Sequence, residues 1–352
     1  MISVNNVLII QQWDSDERFA ISKQFLTQIN TGKYKAVFVI TPQEYEMSWK
    51  NVTGSTVAEI EEGLAKTNTQ MYIVYGSYGA MNIRRRSEPV INTTIIYMPM
   101  FWAYDVSSFD AGNEWTLFTD LPKPKINKLA TSLSNKPHLH RCSTMDYLEK
   151  QQLLDHMHYS WIETNDVYEF KYWDQKLTYL SDDYKTHLNS GSKPPIEVFE
   201  SAFEIVMESC THGVFFTEKT FNAIARGRPF LIIGIPGMNR LLEKFGFKTF
   251  YRELGLEELE QDFELMHEPI HYTFDHDEYT NRLINTLAEN IMPYRYNPEE
   301  LYNKLKPATI HNRLRLKEIG SNQLFFPQLL KELQSKYNLT DEDLNLTPFV
   351  NQ

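Results

Sequence analysis

Apolar residues in the first hundred positions fall into short blocks. The runs VLIIQQW (7–13), AVFVIT (36–41), MYIVYGS (71–77) and TTIIYMPMFW (93–102) are dense in Val, Ile, Phe and Tyr. Blocks this short and this β-branched predict buried strands. Between them the period changes. Residues 17–29 and 57–66 carry apolar positions three and four apart, the spacing of helices with one buried face. Strand and helix in that alternation predict a parallel sheet with helices on its faces.

The pattern restarts after LPKPK (121–125), a short basic stretch broken by prolines and the natural crossing between two domains. Beyond it the blocks predict strands at 128–133, 203–208, 230–233 and 248–251. Helical spacing predicts helices at 141–155, 217–225, 238–245, 277–288, 298–305 and 323–334. The aromatic stretch 159–179 fits neither period. The expected class is α/β with two Rossmann-like domains, residues 1–122 and 123–352.

Composition narrows the function classes. The 352 residues are 42% hydrophobic and 13% aromatic, enough for sizeable cores. A net charge of −11 disfavours a protein held mainly by nucleic-acid phosphates. Arg84-Arg85-Arg86 is a tight cationic run that reads as a solvated loop or as a local basic patch. Two cysteines, Cys142 and Cys210, are too few for a disulfide framework and read as structural thiols. The amino terminus lacks a basic n-region, and no run of eighteen apolar residues occurs. The expectation is therefore a cytoplasmic chain without a transmembrane segment.

Candidate chemistry concentrates in FEIVMESCTHGVFFTEKTFNAIARGRPFLIIGIP, residues 203–236. A strand there gives way to a helix opening at Thr217-Glu218-Lys219, and a second strand ends at Gly234-Ile235-Pro236. Open α/β sheets bind ligands beyond the carboxyl ends of such strands. Lys219 falls in the first turn of its helix, against a like-signed dipole end. An anion is expected beside it: Glu218, Glu208 or a bound phosphate.

The order Phe203, Glu208, Phe215, Thr217-Glu218-Lys219, Ala223, Pro229, Gly234, Pro236 resembles the donor-binding segment of the α1,3-fucosyltransferases. Phage and large-virus glycosyltransferases of the same pattern are closest to it in look. The family's segment reads F-x-x-x-x-E-N and then an aromatic before T-E-K, with Ser209 standing here for the asparagine. The run Tyr97-Met98-Pro99-Met100-Phe101-Trp102 is similar to one near the end of that family's first domain. The resemblance implies the GT-B arrangement, two Rossmann-like domains facing a cleft. It implies an inverting, metal-independent transfer of a sugar from a nucleotide sugar to a hydroxyl, normally on a glycan. Fucose is the family expectation, and Ser209 admits another sugar. The donor would be a GDP- or UDP-linked co-substrate, with no cofactor.

Site residues follow from that resemblance together with their chemistry. Lys219 and Arg141 would face the departing diphosphate, where a guanidinium fork suits phosphate oxygens. A structural salt bridge is the other reading of Arg141. Glu218 would accept from ribose hydroxyls, cap its own helix, or do both. Glu208, Ser209, Phe215 and Gly234 complete the donor set, Phe215 as a wall or as core and Gly234 as a point of close backbone approach. A general base would come from the first domain. Asp14, Asp16, Glu44 and Glu46 follow its first two strands, and no motif chooses among them.

No metal is expected. Asp14-Ser-Asp16 comes too early in the chain for a metal-holding D-x-D. The pairs His138/His140 and His156/His158 lack a further ligand at metal spacing. Two other functions stay open: glycosylation of hydroxymethylated DNA bases, with DNA the less expected partner, and a catalytically inactive nucleotide-sugar-binding module.

Overall fold

The structure, a computed structural model, describes residues 2–11, 24–41, 57–75, 92–97, 124–134, 136–180, 194–208, 216–260, 276–322, 328–340 and 343. Contacts divide the chain into two compact units. One comprises Met1–Ser107, His212–Phe216 and Ile319–Gln352; the other comprises Ser108–Thr211 and Thr217–Glu318. Each carries a largely parallel sheet with helices, so the class is α/β with two Rossmann-like halves.

In the first unit, β1 (Ile2–Val4) and β2 (Val7–Gln11) form a hairpin. Its two-residue turn is Asn5-Asn6, with φ of 48° and 63°. Asparagine tolerates the left-handed region that such tight turns demand. Beyond it β2, β3 (Ala36–Thr41), β4 (Gln70–Tyr75) and β5 (Thr93–Tyr97) run parallel in chain order. Helices α1 (Gln24–Asn30) and α2 (Val57–Thr67) pack on one another between these strands. Val7, Ile9, Val37, Val39, Ile29 and Leu64 are buried in the core.

The second sheet is parallel throughout, in the order β7-β6-β8-β9. Its strands are β6 (Lys128–Ser134), β7 (Met157–Trp161), β8 (Ser201–Met207, preceded by the one-turn helix α4, Ile196–Phe199) and β9 (Phe230–Ile233). Every residue of β8 and β9 is buried, which is why they read as unbroken apolar blocks. The exceptions within β8 are Ser201 and Glu204, and Glu204 meets Arg226 Nη1 at 3.4 Å in the interior.

Helix α3 (Leu139–Lys150) follows β6 and is buried almost all round, although its sequence is polar. Its polar groups are satisfied by neighbours. Asp146, fully buried, accepts from the backbone N–H groups of Lys171, Tyr172 and Trp173 at 2.8–3.1 Å. Ser143 and Tyr147 each donate to Asp277 at 2.6 Å, at the start of α7 (His276–Ile291). Aromatic contacts among Trp161, Phe170 and Trp173 hold the same stretch. Part of the region without a readable period is thus strand β7, and the rest is folded around a buried carboxylate.

The strand expected at 248–251 does not form. Its backbone is engaged instead by α8 (Pro298–Asn322). The Asn312 side chain accepts from Lys248 N and donates to Lys248 O, both at 2.7 Å, replacing a strand partner. His311 bonds Gly246 O at 2.9 Å and Arg315 donates to Phe245 O at 3.0 Å. The helix expected to end near 305 continues through Pro307. Leu301, Leu305, Thr309, Asn312 and Leu316 form one buried stripe across it, while the proline faces solvent. That continuous face outweighs the lost N–H, a cost of about 3 kcal/mol.

Candidate donor site at the strand ends

The second sheet has a topological switch point. From β6 the chain crosses to β7 on one edge, returns to β8 on the other side of β6, and continues outward to β9. It leaves the sheet in opposite senses after β6 and after β8, which opens a crevice beyond their carboxyl ends. The sequence places α3 after β6, α5 (Glu218–Ala225) after β8 and α6 (Met238–Lys244) after β9. All three N-termini sit at this end of the parallel sheet.

Glu208, the residue after β8, ties these pieces together and is fully buried. Its N–H donates to Ile233 O of β9 at 3.1 Å. Its carboxylate accepts from Thr217 N at 3.1 Å and from the hydroxyls of Thr217 and Thr220 at 2.5 Å each. The acid therefore seats the first turn of α5, compensating both donor groups and dipole. Its carbonyl accepts from His140 Nε2 at 2.7 Å and from Arg141 Nη2 at 3.1 Å, binding β8 to the start of α3.

Thr217 is the N-cap of α5, extended at φ −100° and ψ −178°, and its hydroxyl accepts from Lys219 N at 3.2 Å. Lys219 Nζ lies 3.3 Å from the same hydroxyl, so the ammonium is held over the helix start. Arg141 is 3% exposed and also donates to Lys136 O at 3.0 Å. His140 is buried, and burial with the neighbouring Arg141 drives its pKa down to about 3. A carbonyl can only accept, so the neutral ring carries its proton on Nε2. His138, at the N-cap position of α3, stacks on His140 with centroids 6.0 Å apart. Partial burial lowers its pKa, and Arg141, Lys136 and Lys219 lower it further. Those three cations and both histidines belong to one electropositive cluster.

At the end of β9, Gly234 leaves room that a side chain would take. A Cβ there would come within 2.5 Å of Met238 Sδ and 3.9 Å of Glu208 Cβ. Gly237, with φ of 91°, turns the chain into α6. Its N–H donates to Glu260 Oε2 at 2.9 Å, and Asn239 Nδ2 donates to Glu260 Oε1 at 2.5 Å. Burial pushes the Glu260 carboxyl up to about 7, against the pull of those two hydrogen bonds.

Of the residues singled out from sequence, Arg141, Glu208, Lys219 and Gly234 meet at this sheet end. The backbone of Glu218 opens α5. Ser209, Phe215, the side chain of Glu218, and Asp14, Asp16, Glu44 and Glu46 lie outside the described positions. So do Arg84-Arg85-Arg86 and Cys210, whereas Cys142 is buried, its thiol pushed up to about 12 by that burial. Sequence reasoning weighed His138 only as half of a metal pair, named Thr217 only as part of the helix opening, and passed over Thr220 and Glu260. A threonine ahead of Glu-Lys and an apolar run was a readable cap. Nothing in the sequence paired Glu260 with Gly237 across an intervening helix. His158 lies 3.4 Å from Glu200 at the amino ends of β7 and β8, the opposite end of the sheet.

No family model matches the chain, and no curated protein matches it. Among solved structures, one titled "Crystal Structure of alpha1,3-Fucosyltransferase" is similar over 92% of this chain and 90% of its own, at 13% identity and a TM-score of 0.38. Among the described residues, no helix is long and apolar enough to cross a membrane.

Proposed function

We propose that the chain is an inverting glycosyltransferase of the GT-B kind, whose nucleotide-sugar donor binds at the carboxyl ends of β6, β8 and β9. The observation that carries the reading is the convergence of Arg141 and Lys219 on the β6/β8 switch point, beside the N-termini of α3 and α5. The likeness of the 203–236 pattern to the fucosyltransferases supports it independently. In such a transfer the acceptor oxygen bonds to the anomeric carbon as the bond from that carbon to the phosphate oxygen breaks. The acceptor proton passes to a base, for which Asp14, Asp16, Glu44 and Glu46 remain the candidates. Negative charge grows on the leaving diphosphate, so fixed cations and helix dipoles favour the transition state over the ground state.

Lys219 is the phosphate ligand in this scheme, and Thr217 and Glu208 hold its helix in place. Arg141 lends its charge from a seat fixed by two carbonyls. Glu218 takes the ribose hydroxyls, and the transfer uses no metal. The test is calorimetric titration of GDP and UDP in EDTA into wild type and Lys219→Ala. Selective binding of one nucleotide by wild type is expected, weakened about 10- to 100-fold in the variant, the effect of one charge-assisted hydrogen bond. If neither nucleotide binds to wild type, the donor assignment is wrong.

A further inference from the structure

His138 is the residue of this site whose chemistry is left unused. It terminates the turn after β6, with its N–H donating to Lys136 O at 3.0 Å. Its ring lies nearly parallel to that of His140, at an interplanar angle of 6°. From His140 a bonded path runs through Glu208 O, the Glu208 carboxylate and Thr217 to the Lys219 ammonium. The charged groups facing His138 are Arg141 on its own helix, Lys136 on the preceding turn and Lys219 on α5; its other titratable neighbour is the neutral His140. Every charge in that set is positive, and the imidazole is only partly buried.

We infer that His138 is a further ligand of the diphosphate, contacting it as an imidazolium and taking up a proton as the nucleotide enters. This rests on the donor reading above. In the empty site three cations oppose a fourth, so the ring stays neutral around neutral pH. A nucleoside diphosphate brings about three negative charges at neutral pH, enough to offset Arg141, Lys136 and Lys219 together. Once it is seated, the repulsion that holds His138 neutral is cancelled, and the protonated ring becomes a donor to the adjacent phosphate oxygen. By linkage, affinity then rises as pH falls through the interval between the empty-site and occupied-site pKa values of His138, by up to about tenfold per pH unit. The empty-site value lies below 6.5, so the uptake is read at pH 6.5–7.5.

The experiment is titration of GDP and UDP into wild type and His138→Gln, in buffers of different ionisation enthalpy, at several pH values across that interval. The terminal phosphate ionises in the same range and is driven by the cations to release a proton, the opposite sign. The comparison between proteins therefore isolates the imidazole. The expected result is that wild type takes up nearly a whole proton more than the variant. Its affinity advantage should exceed tenfold at the acid end and shrink toward pH 8. Nucleotide binding with equal proton balance in both proteins overturns the inference and leaves the donor site standing. Absence of binding by wild type removes both. Should His138→Gln fail to fold, imidazole ¹⁵N shifts of wild type with and without nucleotide read the same ionisation. Unchanged shifts on saturation overturn it equally.

Discussion

Two buried carboxylates at this sheet end do different work because their partners differ. Glu208 meets three donors from one helix start, and its backbone joins two strands and a second helix. It is a positioning residue for Lys219. Glu260 is also buried but has only two donors, and its carboxyl is pushed up to about 7 by that burial. The unfolded chain binds this proton only below about 4.5, so between 4.5 and 7 the folded state holds a proton that the unfolded state lacks. The Glu260 contribution to stability is thus fully present below 4.5 and is lost as pH rises through 7. The slope is about 1.4 kcal/mol per pH unit for one group. Glu260→Gln keeps a carbonyl for Gly237 N and removes the titration. Urea unfolding at pH 5, 6, 7 and 8 should show wild type losing stability relative to the variant across this window. Parallel curves would mean that Glu260 ionises as freely folded as unfolded.

Elements whose burial shows as a sequence period were legible, and those built on polar exchange were not. The strand at 36–41 and the strand at 230–233 have the bounds their apolar blocks predict, because parallel strands covered on both faces need apolar side chains at every position. The cluster around Lys219 was legible for a related reason: strand end, cap and helix start are contiguous in sequence. The segment around Asp146 was opaque, since its stability comes from one carboxylate meeting three N–H groups some 25 residues away. The false strand at 248–251 has the same origin. Its Phe250 and Tyr251 are buried, yet an asparagine of α8 takes, at Lys248, the backbone bonds that a strand would give to a sheet. Asn312→Ala should leave Lys248 N and O without those bonds and destabilise the second unit by about 2–4 kcal/mol, at about 1–2 for each lost bond. Chemical denaturation reads the loss, and amide exchange at Lys248 should accelerate with it. Unchanged exchange would assign that amide's protection to burial alone.

At the scale of the molecule, the chain is not divided simply into an earlier and a later half. Helix α9 (Gln328–Tyr337) belongs to the first unit, although residues 217–318 before it belong to the second. Its seat is specific. The Tyr337 ring meets Phe38 of β3 edge-on at 6.1 Å and Tyr72 of β4 at 6.0 Å, and those two rings stack on each other at 4.8 Å. The two tyrosine hydroxyls lie 3.3 Å apart. Asn5, in the turn of the first hairpin, donates to Asn338 O at 3.0 Å just past the helix end. The first sheet is therefore completed by the last described helix, and a division at 122 omits that return. Tyr337→Ala removes two aromatic contacts and part of the cover over β3 and β4, worth about 1–3 kcal/mol. If the two units have separate cores, that loss falls on one of them. Hydrogen exchange should then quicken in peptides spanning 36–41 and 70–75 while 201–207 and 230–233 keep their protection. Equal acceleration in all four strands would show that the units open together, and that the C-terminal helix stabilises the whole molecule rather than the sheet it covers.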